Sequence, residues 1–167
     1  MHRIGDKIIY GAFGVMTIVD IREESALDVS RSYYVLKPTL LSTESLTFVP
    51  ADNERLVSFM RPLMTRDEVI ELLHYSKDPE PMEWIVENRA RQESFKRLLE
   101  SGDRKRIVSM ICAINESGKR REAEGKKNFV TDENIKAKAE KLLRSEIAVV
   151  FDIPEDGVKI LIENIIG

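Results

Sequence analysis

The first sixty residues carry the hydrophobic pattern of β-strands. Four short segments are rich in β-branched and aromatic residues and are separated by Gly, Ser, Asp and Thr: DKIIY, VMTIVDI, YYVLK and LTFVP. No stretch in this region repeats apolar residues at helical spacing. Gly11 and Gly14 suit a tight turn between the first two strands, because a positive φ costs glycine little. The sequence therefore predicts a small β domain at the N-terminus.

After Pro62 the pattern becomes helical. Thr65 and Glu68 have the spacing of a capping box, which predicts a short helix from this point. The inward face of that helix is formed by Val69, Leu72 and Leu73. Four further helices are predicted over residues 82–99, 104–116 and 131–150 and after Pro154, with the basic stretch GKRREAEGKKN as a connector or frayed helix end.

These elements predict an α+β protein with two domains. The β domain takes residues 1–62, and an all-helical domain of about five helices takes residues 63–167. The chain has 167 residues, of which 43% are hydrophobic and 33% charged, as is typical of folded globular domains. Its longest apolar runs are far shorter than the roughly 20 residues that a membrane helix needs, and the first residues lack the apolar core of a signal peptide. We therefore expect a cytoplasmic protein without membrane contact.

Charge is distributed unevenly along the chain. The net charge is −3, and residues 1–74 carry 8 basic against 11 acidic residues. Residues 89–127 instead carry 12 basic against 6 acidic residues. A local excess of this kind is typical of a surface that follows a phosphate backbone.

Catalytic chemistry has little support in the sequence. The two histidines, His2 and His74, have no nearby partner at ligand or acid–base spacing. Cys112 is the only cysteine, which excludes an internal disulfide and a cysteine-based zinc site and favours a core position. Walker loops, dinucleotide-binding glycine runs and nucleophile elbows are missing as well. We predict that the protein is not an enzyme and that it has no catalytic residue, metal or cofactor.

Several segments in a fixed order carry a resemblance to a known family. They are IGDKIIYGAFGV, YYVLK, VPADN, Arg61, the single Trp84 followed by NRARQESFKRLLESGD, and the late AEKLLRSEIAVVFDIP. In this order they resemble the CarD family of bacterial transcription regulators, over nearly the whole chain. The order of the segments is more specific than any one of them.

The resemblance implies a Tudor-like β-barrel that binds the β subunit of bacterial RNA polymerase, the module also found in transcription-repair coupling factor. It further implies a helical domain that faces promoter DNA. In the family, a tryptophan of the helical domain enters the minor groove at the upstream edge of the transcription bubble, and Trp84 matches that position. Family members have no catalytic activity and typically stabilise the open promoter complex. We expect a monomer.

Candidate DNA-binding residues follow from the resemblance and from the basic segment. Arg89 ranks first, because the family usually has a basic residue five places after the tryptophan, and Arg91 ranks next. Lys119, Arg120 and Arg121 form the best candidate for a second phosphate contact. The full predicted set is Trp84, Arg89, Arg91, Lys96, Lys119, Arg120, Arg121 and Lys126.

The predicted polymerase contacts lie in the β domain: Glu24, Leu46, Phe48, Val49 and Pro50. Two of them differ from the family pattern. Glu24 falls where an arginine often contacts the polymerase, and Phe48 falls where many members have a basic residue. YGAFG also replaces the more usual tyrosine-proline start of the first turn. These differences predict a more apolar interface or one re-paired with a diverged polymerase surface.

Alternative interpretations remain open at this point. Trp84 would also suit a helix start that staples two helices together, and about half of the basic residues would suit an ordinary solvated surface. Leu46, Phe48 and Val49 would suit a core. At the level of function, the alternative is a DNA-independent adaptor that uses the β domain to bind polymerase or another protein. A sequence-specific repressor is less consistent with the sequence, because no helix has the Arg, Asn and Gln pattern that favours base readout.

Overall fold

The chain forms two compact units. The computed structural model describes residues 1–167, apart from the side chain of Ala26. Met1–Leu63 forms the first unit, called the sheet unit, and Met64–Gly167 forms the second, called the helical unit. The predicted α+β class is confirmed.

The sheet unit is built from antiparallel strands. Their bounds are β1 Lys7–Tyr10, β2 Val15–Ala26, β3 Val29–Pro38, β4 Thr47–Pro50 and β5 Met60–Pro62. Within the described residues they form one sheet in the order β4-β3-β2-β1-β5. β4 and β5 are its edges, so the sheet is open and the barrel closure implied by the resemblance stays a prediction.

The first turn of the sheet unit follows the predicted glycine pattern. Gly11 has a φ of 49° and Gly14 a φ of 90°, and a short 3₁₀ turn over Gly11–Phe13 joins β1 to β2. Both φ values lie in the region that favours glycine. The prediction of a tight glycine turn is confirmed.

One face of the sheet forms the core of the sheet unit. The buried residues of this core are Ile8, Tyr10, Met16, Ile18, Leu36, Val49 and Met60. The short helix α1, Glu54–Val57, was not predicted, because four residues are too few to show a helical period. The side chain of Asn53 caps it by accepting the Leu56 N–H at 3.1 Å.

The helical unit contains α2 to α6. Their bounds are α2 Arg66–Tyr75, α3 Asn88–Ser101, α4 Arg104–Ala123, α5 Val130–Phe151 and α6 Val158–Ile166. The predicted capping box at the start of α2 is confirmed: the Thr65 N–H donates to the Glu68 carboxylate at 2.7 Å, and the Glu68 N–H donates to the Thr65 hydroxyl at 3.2 Å. The predicted inward face is confirmed as well, since Val69, Leu72 and Leu73 are buried.

α4 extends further than predicted, because the basic stretch after residue 117 continues the helix to Ala123. The chain then turns back through residues 124–129, called the α4–α5 connector. Gly118 permits this return: a Cβ at that position would lie 2.9 Å from the side-chain nitrogen of Asn128. Cys112, predicted as a core residue, is partly buried on α4, and this burial raises the pKa of its thiol.

A buried carboxylate on α5 joins distant parts of the helical unit. Glu146 is fully buried; it accepts the Met64 N–H at 2.8 Å and pairs with the Arg104 guanidinium at 2.7 Å. A carboxylate in this environment is tolerated because both oxygens are hydrogen-bonded. None of the helices in the described residues is long and apolar enough to cross a membrane.

Candidate nucleic-acid interface

Trp84 lies before α3 and not inside it. The helix predicted over residues 82–99 begins only at Asn88. The Glu87 carboxylate caps this start by accepting the Ala90 N–H at 2.6 Å and the Arg89 N–H at 3.0 Å. These two N–H groups would bond to the carbonyls of residues 86 and 85 if the helix began a turn earlier. The sequence prediction therefore placed the helix start too early.

The hydrogen bonds of the Glu87 cap have an electrostatic consequence. Donation from the backbone N–H groups of Ala90 and Arg89 holds the pKa of the Glu87 carboxyl below its ordinary value. A carboxylate with a lowered pKa stabilises the fold above its unfolded-state pKa and loses this effect as the pH falls through the folded-state value. At neutral pH the cap is charged, which also complements the positive end of the helix dipole.

The Trp84 segment, defined here as residues 81–87, is held against α3 by two contacts of the tryptophan ring. The ring of Phe95 meets it edge to face, with centroids 6.1 Å apart and planes at 63°. The guanidinium carbon of Arg91 lies 4.7 Å from its centroid. Trp84 is thus partly buried, and Val86, two residues on, is 84% exposed. The ring is packed on one side and reaches solvent on another.

Arg91 is fully buried and is occupied by partners inside the helical unit. Its Nε donates to both Asp132 oxygens at 3.1 and 3.2 Å, and its Nη1 donates to the carbonyls of Ile85 and Val86 at 3.0 and 3.1 Å. Its Nη2 donates to the Asn88 side chain at 2.9 Å. A phosphate has no access to this guanidinium. The structure therefore gives Arg91, a predicted DNA contact, an internal structural role.

Asp132 is the acidic partner in this arrangement. It lies in the first turn of α5, is buried, and accepts hydrogen bonds from Arg91 and from the side chain of Gln92. The helix prediction assigned Asp132 to the start of α5 without a partner. Its role was not visible in the sequence, because 41 residues separate it from Arg91.

The other predicted cations of α3 face solvent. The Arg89 side chain is 88% exposed and lies 3.5 Å from the Glu93 carboxylate, one helical turn on. Lys96 is exposed on the same helix. An exposed pair of this kind contributes little to stability, so both cations can bind an external anion at low cost.

The basic residues at the end of α4 divide into two kinds. Lys119 and Arg120 have exposed side chains. Arg121 is half-buried: its Nε donates to the Lys127 carbonyl at 2.8 Å, and its guanidinium lies 3.9 Å from the centroid of Phe129. Lys126 is exposed and pairs with Glu124 at 2.9 Å. Lys119 and Arg120 are therefore the cations of this group best suited to a phosphate.

A stack of alternating arginine and aromatic side chains joins the two predicted DNA-binding regions. It consists of Trp84, Arg91, Phe129 and Arg121, and we call it the arginine–aromatic stack. Arg91 lies 4.7 Å from Trp84 and 4.8 Å from Phe129, and Arg121 covers Phe129. The α4–α5 connector and the Trp84 segment consequently lie at the same end of the helical unit. Phe129 was not singled out in the sequence; the signal that points to it is an aromatic residue two positions after the basic pair Lys126 and Lys127.

The predicted polymerase contacts fall on two faces of the sheet. Val49 is 0% exposed and belongs to the core, whereas Leu46 and Phe48 are 44% and 42% exposed. Cross-strand pairing puts Phe48 opposite Val35 and Pro50 opposite Tyr33. Phe48 and Pro50 therefore share the face opposite to Val49, as the alternation of a strand requires.

Glu24 lies on the same outer face of the sheet as Phe48. Arg22 pairs with Tyr33 across the β2–β3 ladder, and its guanidinium carbon lies 5.6 Å from the centroid of the Phe48 ring. Glu24 follows Arg22 by two residues and pairs with Arg31. We call Glu24, Leu46, Phe48 and Pro50 the outer sheet surface; Val49, placed in the core, is left out of it.

The comparison with known families concerns the sheet unit. Residues 2–64 match the model of the CarD-like/TRCF RID domain. The sheet unit belongs to this family of RNA polymerase-interacting domains, so the resemblance found in the sequence is confirmed for this unit. A chain that carries such a domain is a transcription-related protein. No curated protein sequence matches the chain.

We predict a large loss of stability on replacing one arginine of α3 and almost none on replacing another. Arg91→Ala leaves Asp132 buried without its cation, so the free energy of unfolding should fall by about 3 to 5 kcal/mol. Arg89→Ala removes an exposed charge and should change it by less than about 0.5 kcal/mol. Urea denaturation followed by circular dichroism measures both values. Equal stability of the two variants would contradict the structural role given to Arg91.

Proposed function

We propose that this protein is a non-catalytic transcription regulator that binds RNA polymerase and promoter DNA at once. The sheet unit, with a Tudor-like barrel arrangement, binds the polymerase β subunit. The helical unit contacts DNA at the upstream edge of the transcription bubble and stabilises the open complex. The protein acts as a monomer in a bacterial cytoplasm. The observation that carries the DNA-binding half of this proposal is the convergence of Trp84 and the exposed cations of α4 at one end of the helical unit.

The proposed DNA interface differs from the set expected from the sequence. It comprises Trp84, Arg89, Lys96, Lys119, Arg120 and Lys126. Arg91 and Arg121 support this surface from behind, because their guanidinium groups stack on aromatic rings. The exposed cations contact phosphate, which supplies affinity without base preference.

Trp84 supplies the contact that depends on an opened duplex. A large apolar side chain stabilises an unstacked base step when cations hold the adjacent phosphates. The ring is held on one side by Phe95 and Arg91, so its orientation is already fixed before DNA binds. Fixing a side chain in advance lowers the entropic cost of association. Val86 adds an exposed apolar group beside the ring.

The polymerase contact is assigned to the outer sheet surface. Phe48 and Leu46 expose apolar area on β4 and just before it, and β4 is an edge strand with unpaired backbone groups along one side. Edge strands with adjacent apolar side chains commonly pair with a strand of a partner protein. Glu24 and Arg22 add charges of both signs beside Phe48, which sets the register of such a contact.

Replacing Trp84 tests the proposed function directly. Trp84→Ala should shorten the lifetime of the open promoter complex, while binding to polymerase stays unchanged. The ring contacts make a moderate loss of stability expected, about 1 to 2 kcal/mol, which is less than the 3 to 5 kcal/mol of a core tryptophan. Ile114→Val, a buried change that costs about 0.5 to 1.5 kcal/mol, serves as the control for reduced stability. A wild-type lifetime in folded Trp84→Ala would favour the DNA-independent adaptor.

The cations of α4 are tested by the salt dependence of DNA binding. Lys119→Ala combined with Arg120→Ala should weaken binding to duplex DNA and lower the slope of log affinity against log salt by about 2, because each lost phosphate contact releases about one counterion fewer. Base preference should not change. Lys138→Ala combined with Lys141→Ala removes the same charge from exposed positions of α5 and should leave most of the slope in place. The same slope in both double variants would show that the α4 cations make no phosphate contact.

The outer sheet surface is tested by comparing neighbours in β4. Phe48→Ala should weaken binding to the isolated polymerase β subunit with little effect on folding, because the side chain is partly exposed. Val49→Ala should instead lower stability by about 1 to 3 kcal/mol, since it leaves a cavity in the core. Calorimetry of binding and thermal unfolding separate the two effects. Unchanged binding by a folded Phe48→Ala variant would remove Phe48 from the interface.

A further inference from the structure

The arginine–aromatic stack connects Trp84 with a residue that it does not touch. Arg121 lies 3.9 Å from the Phe129 centroid, and Arg91 lies 4.8 Å from the same centroid. Arg91 in turn lies 4.7 Å from Trp84. In the described residues, Arg121 and Trp84 are joined through Phe129 and Arg91, with no ring contact between them. The ring contacts that link Arg121 to Trp84 therefore run through Phe129 and Arg91.

Arg121 differs from its neighbours in how its guanidinium is used. Lys119 and Arg120 extend into solvent, whereas Arg121 donates its Nε to the Lys127 carbonyl and stacks on Phe129. One guanidinium thus fixes the α4–α5 connector and lies beside the cations proposed to bind DNA.

We propose that Arg121 is a positioning residue that couples the α4–α5 connector to Trp84. By stacking on Phe129, it holds Phe129 against Arg91 and thereby holds Arg91 against the tryptophan ring. The conformation of the α4–α5 connector, where phosphate contact is proposed, and the orientation of Trp84 then depend on the same stack. The coupling is a property of the free protein; its role at a promoter rests on the proposed function.

The single tryptophan makes the coupling measurable in the free protein. We compare acrylamide quenching of Trp84 fluorescence in Arg121→Ala and in Arg120→Ala, an adjacent change of the same charge without a ring contact. Loss of one cation–π contact should increase the exposed population of Trp84 about two- to fivefold in Arg121→Ala. Arg120→Ala should match the wild type. Equal quenching in both variants would overturn the coupling.

A second variant separates stacking from charge and protects the test against misfolding. Arg121→Lys keeps the positive charge but loses the planar group that stacks on Phe129. It should raise quenching in the same direction as Arg121→Ala, and circular dichroism checks that its helices are intact. Wild-type quenching in Arg121→Lys would show that charge alone, and not the stack, acts on Trp84.

Open-complex lifetimes distinguish failure of this inference from failure of the proposed function. Arg121→Ala should shorten the lifetime, whereas Lys141→Ala, which removes an exposed charge outside the proposed DNA interface, should leave it unchanged. The effect of Arg121→Ala should disappear in a Trp84→Ala background. If quenching responds to Arg121 while Trp84→Ala leaves the lifetime unchanged, the coupling holds and the proposed function fails. If Trp84→Ala shortens the lifetime while quenching ignores Arg121, the function holds and the coupling fails.

Discussion

The buried ion pair between Arg91 and Asp132 is the interaction on which the candidate interface depends. It joins α3 to α5, and the same guanidinium holds the carbonyls of Ile85 and Val86 and lies against Trp84. A buried pair gains little net stability over an apolar pair of similar shape, but removing one partner is costly because it leaves an unpaired charge. Its effect here is to tie three segments to one guanidinium: the Trp84 segment, the start of α3 and the start of α5.

This arrangement explains why a residue can be basic, lie close to Trp84 and still be unsuited to the proposed DNA contact. A count of the basic residues in 89–127 does not distinguish one cation from another. The structure separates them by what surrounds each guanidinium or ammonium group: Arg89 and Lys96 are exposed, while Arg91 is enclosed by an acid, two carbonyls and two rings. Charge counting locates a candidate surface, and burial decides which cations belong to it.

The features that sequence predicted best are those set by neighbours along the chain. The Thr65 capping box, the Gly11 and Gly14 turn and the main strands follow from local spacing. The predicted start of α3 was too early. The N–H groups that would extend the helix donate to the Glu87 carboxylate, and the carbonyls of Ile85 and Val86 accept from the Arg91 side chain. The role of Asp132 depends on a contact with Arg91, 41 residues away, for which a single sequence gives no signal. Phe129 contacts the nearby Arg121 as well as the distant Arg91, and only the nearby contact has a signal in the sequence. Within β4, the sequence prediction treated Phe48 and Val49 alike, whereas the alternation of the strand puts Val49 in the core and Phe48 on the opposite face.

The packing of Trp84 also restricts how it would act on DNA. A free indole would lose side-chain entropy on insertion, whereas a ring held by Phe95 and Arg91 has already lost much of it. The same contacts would be lost if the whole ring left α3, at a cost comparable to the few kcal/mol of unstacking a base step. The proposed insertion would therefore be favoured only if the ring kept its contacts with Phe95 and Arg91. Stapling of the Trp84 segment to α3 and the proposed entry into the minor groove are then compatible roles of one ring.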